Sequence, residues 1–220
     1  MEIPPLKKLI LYEDAELLVI NKPANLPVLP DGWEPEAPYL VKLLQGKYPE
    51  LLVVHRLDKV TSGVMVFART PETHRALNIQ FEKHEAQKIY HSICVGVPNW
   101  NEHTARHKLR INVGHSHRTM VDHAKGKSAE TAFKVFKRYK GYALLESIPA
   151  TGRTHQIRVH AYALGFPLLG DSLYSAPKTD LIKRPALHAQ SLTFTHTISG
   201  ERVTFEAPYP EDFKQALRQL

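Results

Sequence analysis

The sequence predicts an α+β fold, with a mixed but largely antiparallel central sheet flanked by helices and loops. Short apolar runs with strand-like alternation recur along the 220 residues. Segments with helix start and stop signals are fewer. The two kinds of segment do not alternate in the strict strand–helix order that builds a parallel sheet, so an antiparallel arrangement is favoured.

The chain opens with two apolar runs separated by a polar turn. Leu9–Tyr12 and Leu17–Ile20 flank Glu13–Ala15, which is the pattern of a β-hairpin. The prolines that follow end the second strand, because proline supplies no N–H group to a sheet. Asn25, between these prolines, is predicted at positive φ, which asparagine tolerates better than most residues.

Local signals place the later elements. Thr70-Pro71-Glu72 begins a helix that should end near Lys83, because threonine caps, proline fits the first turn and an acidic residue lies at the positive end of the dipole. Another helix, 151–164, should be capped by Gly165. Helices are also expected at 39–45 and 211–219, strands at 63–68, 89–97, 132–138, 142–148, 190–197 and 202–206, and an irregular or hairpin-rich segment at 99–128.

Composition restricts the classes of function. With 29 Lys and Arg against 22 Asp and Glu, the net charge is +7, which suits a nucleic-acid partner but equally an ordinary basic protein. The single cysteine, Cys94, excludes an internal disulfide and a zinc site with several thiolates. We see no signal peptide and no apolar run of about 20 residues, so we expect a cytoplasmic protein. No repeat or domain boundary is visible, so residues 1–220 are predicted to form a single domain.

Two stretches carry more polar groups than their apolar neighbours predict. His55–Gly63 places an arginine, an aspartate and hydroxyls between two apolar strands, where charged groups need partners or a function. In the second stretch, 88–96, Lys88, Tyr90 and Ser92 share one face of a strand. Each also has an ordinary explanation, because a capped loop with a surface Arg–Asp pair and a core tyrosine would look the same.

A third stretch, Thr151–His160, interleaves polar and apolar residues on the predicted helix. Arg153 and Arg158 are five positions apart, so on a helix they point to different sides. One could face a carboxylate and the other a phosphate. By itself, the pattern also fits a solvated helix face.

Together the three stretches resemble the motifs of RluA-type pseudouridine synthases. His55-Arg56-Leu57-Asp58 followed by Thr61-Ser62-Gly63 resembles the family signature, and the other two stretches resemble its next motifs in the same order. Asn25 departs from a common glycine, and Thr197 from a proline that often follows histidine. The lack of an S4 module resembles the short, stand-alone members. Flanking similarities lie at Asn21-Lys22-Pro23, Gly126–Thr131, Pro167–Asp171, Tyr174 and Leu187–Ala189.

The resemblance implies a pseudouridine synthase fold, a single catalytic domain and roles for individual residues. Asp58 matches the catalytic aspartate, Tyr90 the tyrosine that stacks on the target base, and Arg158 the basic residue that pairs with the carboxylate. Arg56 matches the arginine that fills the gap left by a flipped nucleotide. Further substrate-binding residues are expected in the same motifs: His55, Thr61, Lys88, Arg153 and Gln156.

The implied reaction isomerises specific uridines in structured ribosomal or transfer RNA to pseudouridine. It breaks the N1–C1′ bond and forms a C5–C1′ bond without gaining or losing atoms, so we expect no cofactor. Asp58 could attack C1′, attack C6 or remove the C2′ proton, and each route needs an ionised carboxylate. The uridine must leave its stack, at a cost of a few kcal/mol, and stacking on Tyr90 would return about 1–3 kcal/mol.

The segment 103–127 is rich in cations and histidines, and we expect it to lie along the RNA backbone, where phosphate contacts position the substrate. A solvated loop is the alternative. The cations are Arg106, Lys108, Arg110, Arg118, Lys125 and Lys127, and the histidines are His103, His107, His115, His117 and His123.

Other classes of protein fit less well. No metal site is expected, because the histidines lack an HExxH pattern or a cysteine cluster, and a zinc deaminase would need a Pro-Cys-x-x-Cys pair. Gly126-Lys127-Ser128 resembles the end of a P-loop, but Val121 stands where its first glycine belongs. A non-catalytic RNA-binding protein and a nucleoside N-glycosidase remain alternatives. We expect a monomer with no membrane partner.

Overall fold

The computed structural model describes residues 4–30, 36–114 and 118–220, without the side chain of Asn112. The strands are β1 (Ile10–Glu13), β2 (Leu17–Lys22), β3 (Leu52–Val53), β4 (Ser62–Ala68), β5 (Gln87–Val95), β6 (Glu102–Val113), β7 (Arg118–Val121), β8 (Lys127–Tyr139), β9 (Tyr142–Pro149), β10 (Leu187–Thr195) and β11 (Arg202–Glu206). The helices are α1 (Leu6–Leu9), α2 (Leu40–Gln45), α3 (Pro71–Glu82), α4 (Gln156–Ala163) and α5 (Glu211–Arg218), with a 3₁₀ turn at Ser172–Tyr174.

The chain forms two compact units. The first contains the residues up to Lys88 together with Ala189–Tyr209, and the second contains Ile89–His188 together with Pro210–Leu220. Strands of the first unit follow the order β1-β2-β4-β10, with β3 also paired to β4 and β11 to β10, and those of the second follow β5-β9-β8-β6-β7. The predicted α+β class is confirmed, whereas a single domain over 1–220 stays a prediction.

Antiparallel pairing dominates. The registers of β1–β2, β2–β4, β3–β4 and β10–β11 in the first unit are all antiparallel. So are those of β5–β9, β8–β9, β6–β8 and β6–β7 in the second. The hairpin expected within 99–128 is β6–β7, in which Leu109 lies opposite Val121.

Predicted local signals act as expected in the first unit. Asp14 shapes the opening turn, because its Oδ1 accepts hydrogen bonds from the backbone N–H groups of Glu16 and Leu17 at 2.8 and 2.7 Å. Thr70 caps α3 by accepting a hydrogen bond from the Thr73 N–H at 3.2 Å. Asn25 has φ of 62°, as predicted.

The predicted start of the fourth helix is wrong. The sequence predicted a helix over 151–164, but α4 begins at Gln156, and His155 before it has φ of 54°, which is left-handed backbone. Arg153 therefore lies in the turn before the helix and not on a helix face. The predicted end is close, because Gly165 follows with φ of 86° and its N–H donates to Tyr162 O at 2.9 Å.

Each unit has its own apolar interior. In the first, β4 is buried along its whole length, so it supplies a rigid base for the segment that precedes it. In the second, Ile157 and Ala161 of α4 join a buried cluster with sheet residues such as Phe133 and Leu145. This packing orients α4 and with it the polar residues of the third motif. Within the described ranges, no helix is long and apolar enough to cross a membrane.

Candidate active site

Asp58 lies in an irregular segment of the first unit, between β3 and the start of β4. Its backbone carbonyl accepts a hydrogen bond from the Thr61 N–H at 3.0 Å, which closes a turn just before the strand. The Asp58 residue itself is half-buried. The carboxylate is thus carried by a backbone turn that a buried strand holds in place.

Lys22 fixes the backbone beside Asp58. Its side chain has no exposed surface, and its ammonium donates hydrogen bonds to the carbonyls of Pro23, Leu26 and Lys59 at 2.9, 2.8 and 3.2 Å. A buried ammonium must find acceptors, because its desolvation is costly. Lys22 therefore ties the residue after Asp58 to the loop after β2, a role that sequence similarity indicated only as a motif position.

Gly63 explains why the motif ends in glycine. Its φ is 118°, and a Cβ at this position would lie 2.1 Å from Ala189 O and 2.6 Å from Ala189 N. The backbone of β10 thus occupies the space that any side chain would need. Nearby, Thr61 is 2% exposed, and its hydroxyl has no hydrogen-bond partner among the residues that the structure describes.

His55 links the motif to the interior of the first unit. The Val66 N–H donates to His55 Nε2 at 3.2 Å, and the imidazole stacks on Phe81 with ring centroids 4.7 Å apart. Burial and, secondly, the charge of Lys88 lower the pKa of His55 to about 3. Burial also lowers the pKa of Lys88. A neutral His55 is thus a structural tether, and its contact with substrate stays a prediction.

Tyr90 belongs to the second unit. It lies on β5 directly opposite Ser147 of β9, and its ring is partly buried against the apolar cluster that contains Phe133 and Leu145. The strand and the cluster therefore hold Tyr90 in a defined position, and the residue is only partly buried. Its stacking on a base stays a prediction.

Gln156 organises the turn before α4 through four hydrogen bonds. Its amide nitrogen donates to Glu130 O and Thr131 Oγ1, both at 2.9 Å. Its amide oxygen accepts from Thr151 Oγ1 at 2.6 Å and from the Arg153 N–H at 3.1 Å. Both donors and both acceptor positions are therefore used within the protein. This gives Gln156 a structural role, and direct binding of substrate by it stays a prediction.

Arg158 is buried at the start of α4, with 4% of its surface exposed. Its Nε and Nη2 donate to the two carboxylate oxygens of Asp171, each at 2.7 Å. Its Cζ lies 5.1 Å from the ring centroid of Tyr174, which adds a cation–π contact. Sequence reasoning noted Asp171 and Tyr174 only as similar flanking positions, because their pairing with Arg158 depends on how the chain folds back.

Two other predicted residues are exposed, one in each unit. Arg56 lies two residues before Asp58, and Arg153 lies in the turn before α4. Exposed guanidinium groups suit contact with phosphates or with the bases that border a flipped nucleotide. The geometry is consistent with the predicted roles, which nevertheless stay predictions.

Comparison with known proteins decides the family. The family model described as RNA pseudouridylate synthase matches residues 16–163, which contain all three motifs. The chain belongs to this family. An uncharacterised RNA pseudouridine synthase of Zymomonas mobilis is 40% identical over 217 residues, covering 96% of this chain and 98% of that protein. The dual-specificity RNA pseudouridine synthase RluA of Escherichia coli is 37% identical over 201 residues, covering 90% and 92%.

A solved structure agrees with this assignment. The human RNA pseudouridylate synthase domain containing 4 superposes with a TM-score of 0.81 at 25% identity, covering 97% of this chain and 93% of the other. The sequence-based identification of an RluA-type pseudouridine synthase, an RNA-modifying isomerase, is confirmed.

The basic segment 103–127 of this synthase forms β6, β7 and the turn before β8. Two of its arginines take part in surface ion pairs: Arg106 Nε lies 2.8 Å from a Glu130 carboxylate oxygen, and Arg110 Nη1 lies 3.5 Å from one of Asp122. Such surface pairs contribute little to stability. Lys108, Lys125 and Lys127 are exposed. His115 and His117 lie outside the described residues.

Three histidines of the second unit lie close together: His107, His123 and His160. The ring of His107 lies 5.5 Å from that of His160 and 5.9 Å from that of His123, measured between centroids. Among the residues with a described placement, no three His, Cys, Asp or Glu side chains form a group that could hold a metal ion. The absence of a metal therefore stays a prediction.

Proposed function

We propose that the protein isomerises specific uridines of ribosomal RNA, transfer RNA or both to pseudouridine, with Asp58 as its essential carboxylate and without a cofactor. The observation that carries the proposal is the family match over 16–163, which includes Asp58 on a turn fixed to a buried strand. The named dual specificity of the Escherichia coli relative supports the choice of substrates.

Asp58 would act on the ribose–base junction of an extruded uridine. It would attack C1′, attack C6 or remove the C2′ proton, after which the N1–C1′ bond breaks. The uracil then rotates and C5 bonds to C1′, with release of Asp58 from any covalent adduct or return of the proton to C2′. C5 then loses its proton and N1 gains one, so no atom is gained or lost overall. Arg158 would stabilise the ionised carboxylate, because an opposite charge favours the charged form.

Two side chains would stabilise the extruded state of the nucleotide. Tyr90 would stack on the flipped uracil, a contact worth about 1–3 kcal/mol. Arg56, which is exposed, would fill the space that the base leaves in the RNA. Stacking and filling together offset the cost of unstacking, which is a few kcal/mol. The exposed lysines of the basic segment would bind phosphates and set the position of the RNA.

Release of tritium from RNA labelled at uridine C5 tests the chemistry directly. We expect the wild-type protein to release tritium from ribosomal or transfer RNA and to leave pseudouridine in the product. Asp58→Asn should lose about 10⁴-fold or more in rate while it still binds RNA. Asp180→Asn, which neutralises an exposed carboxylate of the second unit, is the matched control and should keep the wild-type rate.

Product analysis separates the alternative functions. An N-glycosidase would release free uracil, whereas an isomerase retains the base in the chain. A non-catalytic RNA-binding protein would bind RNA and release no tritium. Mapping of pseudouridine in cellular RNA with and without the protein would then identify the substrate positions.

We also propose that the synthase acts in the cytoplasm as a monomer. Its single cysteine, buried Cys94, is compatible with a reducing compartment. Size-exclusion chromatography with light scattering would test the monomer, and fractionation of cells would test the location. A stable dimer or a membrane-associated fraction would contradict these proposals.

A further inference from the structure

The partner of Arg158 inside the second unit is a fully buried carboxylate. Asp171 is 1% exposed and lies 13 positions after Arg158 in the chain. Both of its oxygens accept hydrogen bonds from the guanidinium at 2.7 Å. A buried ion pair contributes little net stability compared with a well-packed apolar pair, because desolvation opposes the Coulomb attraction. The pair therefore calls for an explanation other than stability.

Two parallel hydrogen bonds determine orientation. A fork-to-fork pair fixes the plane and the direction of the guanidinium, which a single bond would leave free to rotate. Of the five N–H donors of arginine, Asp171 takes one on Nε and one on Nη2. The direction in which the remaining donors point is then set by Asp171.

The ring of Tyr174 packs against the same guanidinium. Its ring centroid lies 5.1 Å from Arg158 Cζ. The ring itself is fixed, because its hydroxyl accepts a hydrogen bond from the Thr119 N–H at 3.0 Å and donates to Thr119 O at 3.1 Å. With 2% of its surface exposed, Tyr174 has little room to move away from the arginine.

One tight turn carries both Asp171 and Tyr174. Asp171 precedes the 3₁₀ turn and Tyr174 ends it, and the Tyr174 N–H donates to Asp171 O at 3.1 Å. One short segment therefore carries both the carboxylate and the ring that contact Arg158. Gly170 anchors this turn, because a Cβ on it would lie 2.3 Å from Arg184 O.

We propose that Asp171 and Tyr174 are positioning residues that hold the Arg158 guanidinium in one orientation before RNA binds. The inference rests on the proposed function, in which Arg158 stabilises the ionised carboxylate of Asp58. A preset direction would improve catalysis, since misplacement of a catalytic group by about 1 Å can cost about 100-fold in rate.

Asp171→Asn is the principal test, because it keeps the shape of the side chain and removes the charge. In single-turnover tritium release we expect the rate to fall about 100-fold, while the KM for RNA stays within about 3-fold. Tyr174→Phe keeps the ring and removes the bonds of the hydroxyl to Thr119 and its 3.1 Å contact with His155 Nδ1, so we expect a smaller loss of about 5-fold.

Asp212→Asn is the matched control. Asp212 forms another two-pronged pair of this unit, with Arg184 Nε at 2.7 Å and Nη2 at 3.0 Å. A purely structural effect of losing such a pair would appear in both variants. We expect Asp212→Asn to lower the Tm and to keep the wild-type single-turnover rate.

A double variant shows whether Asp171 acts through Arg158. If it does, Asp171→Asn adds no further loss to that of Arg158→Met. If Asp171→Asn does not fold, Asp171→Glu retains the charge but shifts the carboxylate by one methylene, and it should also lower the rate without raising KM. Three results would overturn the inference alone. They are a wild-type rate in the folded Asp171 variants, rate losses that multiply in the double variant, and a loss of rate in Asp212→Asn equal to that in Asp171→Asn. Absence of tritium release by the wild-type protein would overturn the proposed function as well.

Discussion

The segment before β4 and the segment around the start of α4 hold their functional residues by different means. Around Asp58 the backbone is fixed, by the ammonium of Lys22 on the Lys59 carbonyl and by the close approach of Gly63 to β10. Around Arg158 the side chains are fixed, by the four bonds of Gln156 and by the two bonds that Arg158 donates to Asp171.

The difference fits the roles that we propose for the two residues. A carboxylate that is to react with substrate needs accessible oxygens, and restraint of the backbone is compatible with that need. A guanidinium that supplies charge in a set direction gains from restraint of the side chain itself. The first segment should therefore be sensitive to backbone changes, and the second to the removal of side-chain partners.

Gly63→Ala should have the largest effect on stability. The new methyl group would overlap Ala189 O, and φ of 118° is strained for alanine, so the free energy of unfolding should fall by about 3 kcal/mol or more. Gly200→Ala is the control. Gly200 has φ of 70°, and a Cβ added there would have no other atom within 4 Å. It should lose about 1 kcal/mol. Equal losses in urea unfolding would show that the close approach to β10 is unimportant.

Acid should destabilise the second unit through His160. Burial and, secondly, His107 lower the pKa of His160 from 6.5 to about 4, so between these values the unfolded chain binds more protons than the folded one. The free energy of unfolding should therefore fall as pH drops from 6.5 towards 4, by at most about 3 kcal/mol from this group.

His160→Gln should reduce the pH dependence in that range, with a residual slope from His55, whose pKa burial also lowers. His103→Gln, at an exposed position, should leave the dependence unchanged. Urea unfolding at a series of pH values measures both. The same slope in wild type and His160→Gln would contradict the assignment.

Gln156→Leu tests the side-chain network of the second segment. It leaves buried donors and acceptors without partners, so we expect a loss of about 2 kcal/mol in the free energy of unfolding together with a lower rate of tritium release. Gln80→Leu is the matched variant in the first unit, where Gln80 bonds the N–H and carbonyl of Thr195 at 2.8 Å. It should lose stability and keep its rate, so an equal loss of rate would contradict the contrast.

The smallest effects should come from the exposed lysines of the basic segment, which belong to neither restrained segment. Changing Lys108, Lys125 and Lys127 to Gln should weaken RNA binding about equally for all sequences and reduce the salt dependence by about one counterion for each lost phosphate contact. Exposed lysines outside the segment, Lys137, Lys140 and Lys178, provide a control of equal charge. RNA affinity would be measured at several salt concentrations. Equal affinities and equal salt dependence in the two triple variants would contradict the prediction.

Predictions from local sequence signals are correct where interactions between residues close in the chain determine the structure. The Thr70 cap, the left-handed Asn25 and the Gly165 that follows α4 each depend on neighbours a few residues away. The predicted start of α4 is too early because Gln156 bonds back to Thr151 and to the Arg153 N–H, which holds residues 151–155 in a turn. That competition is invisible in a pattern of polar and apolar residues.

The sequence by itself determined the family, many of the strands and helices and the residues that carry the motifs, because these follow from residue types at short spacings. Only the tertiary structure decided which polar groups meet. It paired Arg158 with Asp171, 13 positions away, and Lys22 with the carbonyl of Lys59, 37 positions away. Such contacts depend on the path of the chain through space, since a charged group in the interior bonds to whatever partner the fold brings within reach.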